Sequence, residues 1–182
     1  MKLKKANALL GLITIIVLLA HAGYQIAAYI LFIYNPLVTK TLAWIAVAAV
    51  SVHAVLGMSI MMFSNDGSSL TQYPKANLRT ILQRGSAIGI MVMLILHVKA
   101  YDILKSGTPG LAAAELIQLL FFTCVFTHIA ASFSNAFVTL GFLSSMDTKK
   151  RIDRVTWTVC GVLWLAAVIV VGRTYVILAS IP

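Results

Sequence analysis

Four histidines, His21, His53, His97 and His128, are the residues of this chain best suited to chemistry, and each lies inside an apolar run. Imidazole offers a lone pair to a metal or a proton to a relay near neutral pH. Inside a membrane such a residue is expensive to bury and tends to be functional. A single one reads equally well as a structural histidine bonding a neighbouring helix. Four of them, one on each of the first four apolar segments and none on the fifth, point to a shared task.

The segments that must position them are legible from hydropathy. The chain has 182 residues, of which 60% are hydrophobic and 10% charged, far from soluble usage. About 20 predominantly apolar residues cross a bilayer, and five segments qualify: 6–34, 40–63, 78–104, 111–143 and 155–181. Breaks fall at Asn35-Pro36, in the polar stretch Ser64 to Pro74, between Ser106 and Gly110 with Pro109, and in the charged run Asp147 to Arg154. The expected fold is an all-α integral membrane bundle of five transmembrane helices, a single domain over residues 1–182. The first 23 residues also resemble a signal peptide, with a small-residue site at Ala20-His21-Ala22. The apolar run continues to Tyr34, so a spanning anchor is the preferred reading.

Basic residues set the orientation. Lys2, Lys4 and Lys5, then Lys75, Arg79 and Arg84, then Lys149, Lys150, Arg151 and Arg154 fall on one side. Lys40, Lys99, Lys105 and Arg173 fall on the other. The excess puts the N-terminus inside and the C-terminus outside, in an inner (cytoplasmic) membrane. The net charge of +9 is therefore topogenic. No basic stripe on a solvated face marks a nucleic-acid reader. Cys124 and Cys160 lack CxxC spacing and read as small buried hydrophobes.

Depth sorts the histidines. His21 lies about 24 Å past Lys5, and His97 about 20 Å past Arg84, so both reach the outer half. His53 lies about 20 Å past Lys40, and His128 about 20 Å past Glu115, so both approach the inner half. Two imidazoles at one level on facing helices suit a six-coordinate haem iron, giving the pairs His21/His97 and His53/His128. Two levels disfavour a tetrahedral zinc site, which needs all its ligands at one depth. Small residues near the ligands leave a slot for a porphyrin: Gly57 and Ala49 around His53, Ala131 and Ser132 after His128, Gly89 before His97. They equally favour close helix packing.

Haem propionates and quinone carbonyls need polar partners. Arg79, Arg84, Ser86 and Arg173 are the propionate or quinone candidates, and Arg173 is notable because it sits within the last span. Tyr24, Gln25 and Tyr101, a turn from His21 or His97, are further quinone candidates, though aromatics at span ends are often interface residues.

This layout resembles the single-chain dihaem cytochrome b anchor of succinate:quinone oxidoreductases, the succinate dehydrogenases and quinol:fumarate reductases. The resemblance covers nearly the whole chain: five helices, a histidine on each of the first four, and first-with-third and second-with-fourth pairing. The stretch Leu78-Arg79-Thr80-Ile81-Leu82-Gln83-Arg84-Gly85-Ser86 also resembles the entry to a haem helix in that family. The resemblance implies two haem b groups and an exchangeable quinone, menaquinone or ubiquinone. It implies cytoplasmic flavoprotein and iron–sulfur subunits docked on the inner basic loops. The chain would then be an electron-carrying subunit with no catalysis of its own.

Two positions depart from the family. No acid lies between Leu37 and Trp44, where some members release protons. Phe126 stands two residues before the fourth histidine, where members with a transmembrane proton path carry glutamate. Glu115 and Asp102 remain as proton acceptors near the outer side. Two other readings stay open: a dihaem quinone-reactive cytochrome b of another membrane dehydrogenase, and a haem-free transporter or proton relay. A relay predicts carboxylates among the histidines and broken helices.

Overall fold

A computed structural model describes residues 2–31, 33–63, 78–106 and 110–180. The stretch Ser64 to Pro74, Lys75 and Pro109 lie outside the described residues. Five helices are present: α1 Lys2–Leu31, α2 Pro36–Phe63, α3 Leu78–Ser106, α4 Leu111–Leu140 and α5 Met146–Ala179. All five are long and apolar enough to cross a membrane, so the chain is a multi-pass membrane protein by length and composition. Large apolar side chains stand exposed along them, among them Ile16, Leu37, Val55, Ile95 and Ile169. Lipid can solvate such a surface whereas water cannot.

The chain divides into two compact units. One holds residues 1–75 and 135–144, the other residues 76–134 and 145–182. In the first, α1 and α2 run antiparallel, with Gly11 against His53, Asn7 beside Gly57, and the Thr14 hydroxyl 3.4 Å from the Ala49 carbonyl. Asn35 ends the connection. Its side chain accepts from the N–H groups of Leu37 (3.0 Å) and Val38 (3.2 Å), capping α2 with Pro36 at the first helical position. In the second unit, α4 runs antiparallel to α3 and to α5, through Gly89 against Cys124 and Trp164 against Thr123.

Buried residues recur at seven-residue intervals. Thr14 and Ala28 bracket His21, Thr39 and Ala46 precede His53, and Ala114 and Phe121 precede His128. A strict seven-residue repeat keeps one stripe of a helix turned toward its neighbour. Each of these three histidines is thus on its helix's packed stripe, and those of α1 and α2 lie among residues small enough for close approach.

Several expected boundaries are corrected, among them the start of α2, at Pro36 and not 40, where the Asn35 cap begins the helix. The charged run Asp147 to Arg154, read as a break, forms the first turns of α5, which begins nine residues before the expected start. Ser145 caps it by accepting from the Thr148 N–H, and Asp147 in the first turn suits the positive end of the helix dipole. Lys149 pairs with Asp153 one turn on, at 3.3 Å. Meanwhile α4 stops at Leu140, short of 143, at Gly141 with φ of 88°. The Phe142 N–H bonds the Phe137 carbonyl (2.9 Å) and the Gly141 N–H the Val138 carbonyl (3.1 Å), satisfying the helix end. The rings of Phe137 and Phe142, 6.2 Å apart, close that cap.

Candidate functional site

In the α1–α2 unit shape does more of the positioning. The His53 ring rests on Gly11, where a Cβ would come within 3.0 Å of Cε1. Its ring also bonds the backbone of Asn7. His21 lies ten residues beyond Gly11, about 15 Å along the axis, so the two rings of this unit stand at separate levels. The His21 Nδ1 is shielded from solvent with no hydrogen-bond partner among the described residues, and so is the Gln25 Nε2 one turn further.

In the α3–α4–α5 unit the rings are positioned by hydrogen bonds. His128 Nδ1 lies 3.0 Å from the Gln83 backbone carbonyl. A carbonyl only accepts, so Nδ1 carries the proton and the ring's lone pair belongs to Nε2. The Ser86 hydroxyl, bonded back to the Leu82 carbonyl, stands 3.4 Å from the same Nδ1. His97 Nδ1 bonds the side-chain oxygen of Gln118 on α4. Phe121 stacks on the His97 ring at 4.4 Å and 24°, with Phe122 at its edge. Ser86, beside His128, precedes His97 by eleven residues, about 16 Å, so this unit also has two levels.

One end of this unit carries an ionic clasp across three helices. Arg79 on α3 donates to both carboxylate oxygens of Asp153 on α5, at 2.7 and 2.8 Å. It also donates to the Ser134 hydroxyl (2.9 Å) and, through Nε, to the Ala131 carbonyl (2.8 Å), both on α4. The Ser134 hydroxyl in turn donates to Asp153. Ala131 lies three residues past His128, so the clasp fixes the turn that carries this histidine.

The other expected site residues are scattered in role. Ser86 stands beside His128. The Tyr24 hydroxyl accepts from the Asn35 N–H at 2.9 Å and so ties down the α1–α2 turn. Arg84 is half-buried on α3, and Arg173 is exposed on α5. The side chains of Tyr101 and Asp102 lie outside the described residues. Glu115 is buried on α4, its Oε1 without a partner among the described residues. Sequence reasoning missed Asn7, Gly11, Gln83, Gln118, Ser134 and Asp153. For Gln118 the signal is there: it lies three residues before Phe121, which is itself seven before His128.

No group of three or more His, Cys, Asp or Glu side chains gathers among the described residues. The donor set is instead single imidazoles, one per helix. Two have their Nδ1 bonded to protein oxygen, and the Nδ1 atoms of the other two, His21 and His53, are buried with no hydrogen bond among the described residues. At His97 and His128 that chemistry fits axial ligation of haem iron through Nε2; at His53 the nitrogen that meets the Asn7 backbone is Nε2, so iron would replace that bond. No family model, no curated protein and no solved structure matches the chain.

Proposed function

We propose that the chain is a dihaem b-type cytochrome of the inner membrane, passing electrons between a soluble dehydrogenase and quinone. His21 and His97 would hold one haem, and His53 and His128 the other. The carrying observation is the bonding of His97 and His128: each has Nδ1 bonded to an oxygen acceptor, which puts the ring's lone pair on Nε2, the tautomer that axial ligation requires. Bound haem supplies one-electron transfer. The protein's share is to hold the imidazoles at two levels, to fix their tautomers, and to keep water from the apolar slots between helices.

The partner assignment rests on the resemblance to succinate:quinone oxidoreductase anchors. Flavoprotein and iron–sulfur subunits would dock on the cytoplasmic side, where Lys150, Arg151 and Arg154 are exposed on α5. Quinone would react near the outer end. There Glu115 is the carboxyl closest along α4 to Gln118 and would exchange the proton that accompanies each electron. Arg79 has a smaller part in this reading, since four of its five N–H groups bond Asp153, Ser134 and Ala131.

The test is a series of single His→Ala variants read by reduced-minus-oxidised spectra and low-temperature electron paramagnetic resonance. His21→Ala and His97→Ala remove one and the same spectral component, and His53→Ala and His128→Ala the other. Variants that leave both components intact would refute the assignment.

A further inference from the structure

We infer that Gln118 is a positioning residue that sets the donor strength of His97, and thereby separates the redox potentials of the two haems. The inference rests on the dihaem reading.

Gln118 is 6% exposed on α4 and grips His97 at two points. Its Oε1 bonds the ring Nδ1, while its Nε2 lies 3.4 Å from the His97 backbone carbonyl. The second contact fixes the first. Only the amide NH2 can donate to that carbonyl, so the amide oxygen must be the atom turned to the ring. Nδ1 then carries the proton, and the lone pair stands on Nε2. Phe121, stacked one turn further along α4, limits rotation of the ring about its own bond. Tautomer, tilt and hydrogen bond of His97 are therefore all set from α4.

The matching acceptor for His128 is of another kind. It is the Gln83 main-chain carbonyl, with the Ser86 hydroxyl alongside. An acceptor that draws on the Nδ1 proton pushes electron density toward Nε2 and favours the oxidised metal. A main-chain carbonyl is the same whatever residue bears it. A side chain can be graded from none, through amide, to carboxylate. Gln118 is thus the place where one centre is tuned independently of the other.

The test uses the purified full-length chain carrying its haems, with Gln118→Glu and Gln118→Leu compared by potentiometric titration and electron paramagnetic resonance. Gln118→Glu lowers one midpoint potential and shifts the low-spin signal of that haem alone. Gln118→Leu raises the same potential, and weakens retention of that haem by about ten- to a hundredfold. The opposite sign of the two shifts is the signature, because a residue needed only for packing would not reverse it. Should the leucine variant fail to assemble, the glutamate variant decides alone: a downward shift supports the inference and an unchanged potential overturns it. Two haems whose potentials ignore both substitutions overturn the role of Gln118 and leave the dihaem reading standing. A wild-type chain without haem overturns both.

Discussion

The two units hold histidines by different means. In α1–α2 the ring of His53 lies on a bare stretch of backbone at Gly11, and the Nδ1 of His21 is buried with no partner among the described residues. In α3–α4–α5 each ring hangs from an oxygen acceptor, Gln118 for His97 and the Gln83 carbonyl for His128. Shape, with one backbone bond from His53 to Asn7, serves the first unit, and acceptors on both rings serve the second. Apolar surroundings explain why either device is needed, since water is not there to satisfy a stray imidazole. The lesson is that the second unit fixes its tautomers before any ligand arrives, whereas the first fixes mainly the room beside the ring.

That contrast can be broken where it is strongest. Arg79→Ala leaves the Asp153 carboxylate with Lys149 and Ser134 alone, and should cost about 3 kcal/mol in a reversible unfolding assay in detergent. The side chains of the pair are 25% and 20% exposed, so the cost falls below that of a fully buried pair. Removing both charges in Arg79→Leu/Asp153→Leu should cost clearly less than the single change. If the double variant is the weaker, the clasp is not what holds these helices together.

Packing between α3 and α4 comes next. A Cβ on Gly89 would stand 2.6 Å from the Cys124 Sγ. Gly89→Ala should therefore destabilise by about 1–2 kcal/mol, and Cys124→Ala should relieve most of that in a double-mutant cycle. Additive effects would show that the two residues do not meet.

The smallest change sharpens the account of α1. Gly11→Ala pushes a methyl against His53 and should displace the ring, shifting the spectrum of the haem proposed there with little loss of stability. Gly23→Ala, on the same helix with nothing within 4 Å of the new Cβ, should leave the spectrum alone and stabilise the helix by about 0.5–1 kcal/mol. Equal spectral effects from the two would remove shape as the positioning device.

Much of this was readable before any coordinates. Runs of apolar residues gave the five helices, and Asn35-Pro36 marked the break between the first two. The histidines stood out because they are the only residues of their kind and all lie in apolar runs. What escaped depends on partners far along the chain. Asp153 reads as part of a loop until Arg79, 74 residues earlier, meets it and lets the charged run Asp147 to Arg154 coil into α5. Gln118 and Gln83 read as ordinary polar residues, because a hydrogen bond to a ring on another helix leaves no local pattern. The seven-residue recurrence of Thr39, Ala46 and His53 was the available clue, and it marks packed faces without naming what they touch.

The central claim is that these imidazoles serve iron porphyrin, and stoichiometry tests it most directly. Pyridine haemochrome quantitation on the purified chain should return close to two b-type haems per polypeptide. Purified protein that binds no haem, even when haem is supplied during expression, would contradict the account.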